Sequence, residues 1–153
     1  NPPLNIVLFE PQIPPNTGNV ARLCAATKCH LILIGRLGFE LTDSQLKRAG
    51  LDYWKWVSWE YHEDADAFLE SLRAESVYCL SVHAEKPYTS MRPQRGDYLF
   101  FGKETTGLPG EWLNRFAERT FTIPIWETRV RSLNLGSSVA IVVYDALRQL
   151  EHF

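Results

Sequence analysis

The sequence predicts an α/β fold with a mainly parallel sheet flanked by helices. Apolar runs of four to six residues alternate along the chain with stretches of helical periodicity. Short, continuously apolar runs are typical of strands that are covered on both faces. Strands that alternate with helices favour a parallel sheet. The chain has 153 residues, 45% of them hydrophobic, which suits one domain over 1–153 with a substantial core.

The predicted elements follow from these patterns. The strands are expected at 4–9, 30–34, 77–82, 98–101 and 120–125. A capping box at 42–45 predicts a helix that stops near Gly50. Other helical faces are marked by Val20, Leu23, Cys24 and Thr27, by Ala65, Phe68, Leu69 and Leu72, by Trp112, Leu113 and Phe116 after Pro109, and by Val139, Val143, Ala146, Leu147 and Leu150.

Three polar, glycine-bearing turns follow the first, fourth and fifth predicted strands, where parallel sheets bind ligands. The first, PPNTGNVARL, starts a helix that either Asn16 or Thr17 is expected to cap. Asn19 and Arg22 share one face of that helix. The pattern leaves two interpretations open, a capped helix with a solvated arginine, or an RNA phosphate or ribose held by Asn16, Asn19 and Arg22.

The second turn, FFGKETTGLPG, lacks the Lys-Ser/Thr of a phosphate loop and the GxGxxG of a dinucleotide fold. Gly102 and Gly107 permit close backbone approach, and Glu104 is expected to form a surface pair with Lys103. In the third turn, ordinary helix capping explains the cluster of Ser132, Asn134, Ser137 and Ser138. The neighbouring Arg129 and Arg131 instead suit a polyanion.

Composition excludes several protein classes. The net charge of −2 argues against a general nucleic-acid coat, although it permits a local basic face. Three cysteines without a CxxC pair and four scattered histidines predict no disulfide framework and no metal site, and fit a cytoplasmic protein. The cysteines are expected to be small buried hydrophobes. No apolar stretch is long enough to span a membrane, and no signal peptide is recognisable.

Taken together, the three turns form the pattern NxGNxxR, LFFGxExxGLP and IPxxxxxxxSLNLxxSVAIxxYxxxRQ. This resembles the SPOUT superfamily of S-adenosylmethionine-dependent RNA methyltransferases over nearly the whole chain. The opening LNIVLFEPQIPPNTGNVARLCAAT and the segment LKRAGLDYW are similar to the small YibK/TrmL-like group. The resemblance implies a Rossmann-like sheet with a deep C-terminal trefoil knot, and a homodimer that carries no extra RNA-binding domain.

The implied activity is 2′-O-methylation of the wobble nucleotide of tRNA, cytidine or uridine 34, with leucine isoacceptors as the expected substrates. Arg22 is the implied catalytic residue, assisted by Asn16, Asn19 and Tyr144, although Tyr144 is equally explained by packing. Because a guanidinium stays protonated, we expect Arg22 to orient and stabilise rather than act as a base. The implied contacts of S-adenosylmethionine are Leu80, Ser81, Gly102, Glu104, Gly107, Ile123, Ile125, Ser132 and Leu133.

The expected RNA phosphate contacts are Lys47, Arg48, Arg129 and Arg131, although Lys47 and Arg48 are also explained as charges at a helix C-terminus. Trp54, Trp56 and Trp59 either stack on bases or form a strand or dimer-facing cluster. The group usually reads SLNLSN or SMNLSN where this chain has SLNLGSS, so contacts near Gly136 and Ser137 are expected to differ. Methylation of another tRNA or rRNA position, a non-catalytic RNA-binding module and a generic nucleotide-binding protein are the alternatives.

Overall fold

The computed structural model describes residues 1–41 and 51–153, so the helix predicted after the 42–45 capping box lies outside the described residues. The strands in the described part are β1 (Asn5–Phe9), β2 (His30–Ile34), β3 (Trp59–His62), β4 (Val77–Leu80), β5 (Tyr98–Phe101) and β6 (Thr120–Phe121). They form one sheet in the order β3-β2-β1-β5-β4-β6, and every pairing is parallel. The predicted fold class is confirmed. Strand order and pairing do not test the trefoil knot, which stays a prediction.

Four α-helices cover the sheet within the described ranges: α1 (Pro14–Thr27), α2 (Ala65–Glu70), α3 (Gly110–Arg115) and α4 (Leu135–Gln149). On one face, α1 and α4 pack against the side chains of Ile6 and Leu8. On the other face, Val7 lies in a cluster with residues of α2 and α3. The strand side chains thus alternate between two apolar layers, as both faces of a buried parallel sheet require. No described helix has the length and apolar character needed to cross a bilayer.

The sequence did not predict β3, and it predicted β4 and β6 too long. β3 lies at one edge of the sheet and pairs only with β2 in the described part. Its side chains Trp59 and Tyr61 are exposed, so the strand is not marked in the sequence by a continuously apolar run. β4 ends at Leu80 and β6 ends at Phe121. Beyond them the chain continues as paired loops, because the Thr122 N–H donates to the Lys86 carbonyl at 2.8 Å.

Candidate active site

The three polar turns meet beyond the C-terminal ends of the central strands, around the side chain of Asn16. Its Nδ2 donates to Glu104 Oε2 at 3.1 Å, and its Oδ1 accepts from Asn134 Nδ2 at 3.0 Å. These partners lie 88 and 118 residues away along the chain. Asn16 is only 8% exposed, so its amide is a fixed connection among the three turns.

Glu104 fastens the second turn to the beginning of α1. Its two carboxylate oxygens accept the backbone N–H groups of Gln12 and Ile13, each at 2.9 Å. The expectation that Glu104 forms a surface pair with Lys103 is wrong, because Lys103 forms an ion pair with Glu10 at 3.2 Å. A carboxylate near a helix N-terminus is also favoured by the helix dipole.

Capping of α1 differs from the prediction. The helix begins at Pro14, so Asn16 and Thr17 lie inside its first turn and neither is the N-cap residue. Ile13 occupies the cap position and makes no side-chain cap bond. Proline at the first helical position already lacks an N–H that would need a partner. The expectation that Asn16 or Thr17 caps this helix is therefore wrong, and Asn16 is left free to connect the turns.

Glu10, which directly follows β1, forms an ion pair with Lys103 of the second turn. Burial acts to raise the pKa of Glu10, but hydrogen bonds from the Arg36 backbone N–H and the Lys103 ammonium outweigh it, so the pKa lies below its ordinary value. Glu10 is therefore ionised at neutral pH and fixes the ammonium of Lys103, which belongs to the second turn.

Two glycines give the second turn its shape. A Cβ on Gly102 would lie 2.2 Å from the carbonyl carbon of Gly107, so only glycine lets the two sides of the loop pack this closely. Gly107 has a φ of +73°, which favours glycine, and a Cβ there would meet nothing within 4 Å. The turn is closed by a 2.9 Å hydrogen bond from the Gly107 N–H to the Lys103 carbonyl.

The loops after β4 and β6 run side by side. Leu80 is buried at the end of β4, and the Ser81 N–H donates to the Phe121 carbonyl at 2.9 Å. Further along, Ile123 packs against the core and Ile125 is half-buried. Within the described ranges, the backbone N–H groups of Ile123 and Ile125 donate to no other residue. This strip therefore offers apolar side chains together with free backbone donors.

The third turn ends where Asn134 caps α4. Its Oδ1 accepts the Ser137 N–H at 3.3 Å, so the capping interpretation is confirmed for this residue, and the same side chain also reaches Asn16. Ser132 and Leu133, just before it, are exposed. At the unusual Gly136, a Cβ would lie 3.2 Å from Asn134 Oδ1 and 3.4 Å from Asn19 Cβ. Glycine here lets α1 and α4 approach closely beside the site.

The other candidate catalytic side chains project outward near this junction. Asn19 is exposed and borders Gly136. Arg22 lies six residues beyond Asn16, about 9 Å further along α1 at 1.5 Å per residue. Its guanidinium is exposed and lies over the ring of Tyr53, 5.0 Å from the ring centroid. Tyr144, on α4, is 46% exposed and contacts the ring of Phe153.

The structure describes two of the four residues that were expected to contact RNA phosphates. Arg129 and Arg131 are exposed in the loop before α4, and Arg129 forms an ion pair with Glu127 of the same loop. Lys47 and Arg48 lie outside the described residues. The tryptophans were expected either to stack on bases or to form a strand or dimer-facing cluster. Trp59 belongs to β3 and stacks edge-on with Trp54, with ring centroids 5.1 Å apart, so the strand-cluster interpretation is confirmed for Trp59.

The profile of the SpoU rRNA Methylase family matches residues 3–144.

The chain belongs to this family.

Its similarity to relatives within the SpoU family extends over nearly the whole sequence. It is 48% identical over 147 residues to the tRNA (cytidine(34)-2'-O)-methyltransferase of Saccharophagus degradans, covering 95% of each chain. A protein of the same name from Escherichia coli (strain K12) is 45% identical over 148 residues, covering 96% of this chain and 94% of the relative. The predicted membership of the SPOUT methyltransferases is confirmed.

Solved structures agree with the fold. A structure described as giving insights into the 2-OH methylation of C/U34 on tRNA matches with a TM-score of 0.89 and 45% identity, covering 98% of this chain and 97% of that one. The SpoU methyltransferase AviRb of Streptomyces viridochromogenes, in complex with AdoMet, matches with a TM-score of 0.83 at 20% identity, covering 97% of this chain and 61% of that one. The second likeness is one of fold alone.

Sequence reasoning missed two residues of the candidate site. Asn134 had been explained by capping alone, and Gln12 had not been singled out. Gln12 Oε1 accepts from the Thr105 hydroxyl at 2.7 Å and from the Thr105 N–H at 3.2 Å. The available signal was the position of both residues, each in a polar turn at the same edge of the sheet.

Surface clefts in this SpoU-family chain also lie beside β1, β2 and β3. One is lined by Phe9, Glu63, Asp66, Glu111 and Trp112, together with neighbouring residues. A second contains Arg36 and Tyr61. The residues predicted to contact the cofactor after β4, β5 and β6 line neither cleft, although Pro109, at the end of the second turn, lines the first. The first cleft is acidic and so is a poor surface for nucleic-acid phosphates.

The titratable clusters outside the turns are structural. Cys24, Cys29 and Cys79 are all buried and unpaired, as predicted, and burial raises the pKa of each thiol, in Cys79 to about 12. Glu60 of β3 bonds to His30 of the neighbouring β2 and to His62 two residues further along β3. No group of three His, Cys, Asp or Glu suited to a metal ion occurs within residues 1–41 and 51–153.

Proposed function

We propose that this protein methylates the ribose 2′-oxygen of the wobble nucleotide, cytidine or uridine 34, of tRNA. The observation that carries the proposal is 48% identity, over 95% of both chains, to a tRNA (cytidine(34)-2'-O)-methyltransferase. The three turns joined through Asn16 support it, because they bring polar residues together at the edge of the sheet where parallel sheets bind ligands.

S-adenosylmethionine is the proposed methyl donor, and the described residues fit such a cofactor. The closely packed Gly102 and the open space beside Gly107 form a tight glycine cradle at the sheet edge. Ile123 and Ile125 supply apolar surface and free backbone N–H groups, which suit a purine and a ribose. Leu80, Ser81, Glu104, Ser132 and Leu133 complete the proposed binding loops. When bound, the cofactor supplies a methyl group activated by its sulfonium.

Arg22 is the proposed catalytic residue. Its guanidinium remains protonated, so it orients the ribose hydroxyl and stabilises negative charge that develops on the oxygen. Asn16 holds the beginning of α1 through Glu104 and Asn134, and so fixes the direction in which the helix presents Arg22. Asn19 and Tyr144 are proposed to contact the target nucleotide, since both side chains are exposed on the helices that border the site.

A homodimer is the proposed assembly, with each RNA site built from both protomers. Exposed arginines at 129 and 131 are proposed phosphate contacts, and Lys47 and Arg48 are kept as further proposed contacts. A partner-completed basic surface explains how a chain with a net charge of −2 can bind a polyanion.

The test is incubation of the purified protein with total tRNA and labelled cofactor, followed by mapping of the modified ribose. We expect label on the 2′-oxygen of nucleotide 34, and label elsewhere would contradict the proposed substrate. The Arg22→Ala variant is tested in the same assay. It should abolish transfer while calorimetry shows nearly unchanged cofactor affinity, and a large loss of cofactor affinity would contradict the role assigned to Arg22.

A further inference from the structure

We propose that Tyr53 is a positioning residue that holds the guanidinium of Arg22 in its working orientation. This inference rests on the catalytic role proposed for Arg22. The Arg22 Cζ lies 5.0 Å from the centroid of the Tyr53 ring, within the range of a cation–π contact. The two residues lie on different elements, α1 and the short 3₁₀ turn Leu51–Trp56.

The turn that carries Tyr53 is firmly attached to the sheet. Trp54 packs against the core and stacks edge-on with Trp59 of β3. The following Val57 is buried, and its N–H donates to the Trp54 carbonyl at 3.2 Å. The Leu31 N–H of β2 donates to the Ser58 carbonyl at 2.9 Å. Tyr53 is therefore presented to α1 from a fixed base, with 38% of its surface exposed.

Arg22 needs such a support. Across residues 1–41 and 51–153, no carboxylate forms an ion pair with Arg22. A long side chain without a partner samples many rotamers, so its charge is spread over a wide volume. An aromatic face restricts the guanidinium but leaves its in-plane N–H donors available. A carboxylate partner would instead occupy those donors and cancel the charge that the reaction requires.

The contact is made by the ring of Tyr53 and not by its hydroxyl, so two variants can distinguish the roles of ring and hydroxyl. Tyr53→Phe keeps the aromatic face, whereas Tyr53→Leu removes it. The chain also offers a matched control on the same turn. Trp56 is 67% exposed and carries Lys55 over its ring at 5.2 Å, so Trp56→Leu deletes a comparable exposed cation–π contact that does not involve Arg22.

The first measurement is independent of activity. The Arg22 side-chain Nε–H signal is recorded by NMR on ¹⁵N-arginine-labelled protein and assigned by its loss in Arg22→Lys. We expect a ring-current shift in the wild type, Tyr53→Phe and Trp56→Leu, and its loss in Tyr53→Leu. A signal that Tyr53→Leu leaves unchanged would show that the ring does not hold Arg22 and would overturn the proposal.

The second measurement is steady-state methylation of tRNA by the same variants. Tyr53→Leu should lower kcat by roughly two- to tenfold, in proportion to a lost exposed cation–π contact and the orientation that it provides, with KM for tRNA and cofactor affinity unchanged. Tyr53→Phe should retain the wild-type kcat, because it keeps the aromatic face. In an Arg22→Lys background, Tyr53→Leu should have little further effect.

The outcomes separate the two proposals. A raised KM for tRNA with unchanged kcat in Tyr53→Leu would make Tyr53 a direct RNA contact and overturn its positioning role. Loss of the NMR shift with an unchanged kcat would overturn it as well. If the wild type modified no tRNA nucleotide, the proposed function would fail, while the NMR comparison would still decide whether Tyr53 holds Arg22.

Discussion

Gly102 offers a direct test of the packing in the second turn. In Gly102→Ala the new Cβ would lie 2.2 Å from the Gly107 carbonyl carbon, 2.4 Å from Gly107 Cα and 2.4 Å from the Leu108 nitrogen. All three atoms belong to the backbone, so no side chain can rotate away. Reaching an ordinary contact of 3.4 Å requires the two sides of the loop to separate by 3.4 − 2.2 = 1.2 Å.

That separation should weaken the hydrogen bond from Gly107 to Lys103 and shift Glu104 away from the beginning of α1. Overpacking of this kind costs about 1–3 kcal/mol. For a chain of this size, the expected fall in Tm is about 2–12 °C. We also expect cofactor affinity to fall roughly tenfold or more, which corresponds to about 1.4 kcal/mol or more.

The assays are thermal unfolding by circular dichroism and calorimetric titration with S-adenosylmethionine. Gly110→Ala is the matched control, because a Cβ there meets nothing within 4 Å and Gly110 begins α3. The control should be neutral or stabilise the protein by up to about 1 kcal/mol. If Gly102→Ala matched this control in both Tm and cofactor affinity, the close packing of the loop would be refuted.

Three further predictions concern stability and reactivity. Glu104→Gln places an amide donor against backbone donors, so the free energy of unfolding in urea should fall by about 1–3 kcal/mol, and no change would contradict its anchoring role. The pKa of Glu10 is lowered in the fold, so its contribution is present above its unfolded pKa near 4.5 and is lost as the pH falls through the folded value. Glu10→Gln should therefore flatten the acid side of a plot of unfolding free energy against pH, and an identical slope would contradict this. Cys24, Cys29 and Cys79 should resist maleimide in the native protein and react in denaturant, as followed by mass spectrometry; rapid native labelling would contradict their burial.

The sequence predicted those parts of the fold in which local pattern and burial agree. β2 and β5 were predicted with the correct bounds, because both are apolar and covered on both faces. β3 was missed because an edge strand has only one neighbour and tolerates exposed side chains such as Tyr61. β6 was predicted too long, because the chain after Phe121 stays apolar while its hydrogen bonds pass to a loop.

The site was predictable as a set of turns but not as a set of contacts. Asn16 and Glu104 stood out by residue type, yet their hydrogen bond joins positions 88 residues apart, which no local pattern reveals. Because Glu104 and Lys103 are adjacent in the sequence, an ion pair between them was expected, whereas in the fold Lys103 pairs with Glu10. Local capping rules likewise explained Asn134 and concealed its second bond to Asn16.

The hydrogen bond between Asn16 and Asn134 also determines when the site can assemble during translation. Asn16 leaves the ribosome early, but its partner is synthesised 118 residues later, at the beginning of α4. Because pairings this distant must wait for the intervening chain, a nascent polypeptide has α1 and several strands before it has an assembled junction. A truncated product that ends before Asn134 therefore keeps the contact between Asn16 and Glu104 but leaves the Asn16 side-chain oxygen without its partner, so the three turns are never joined.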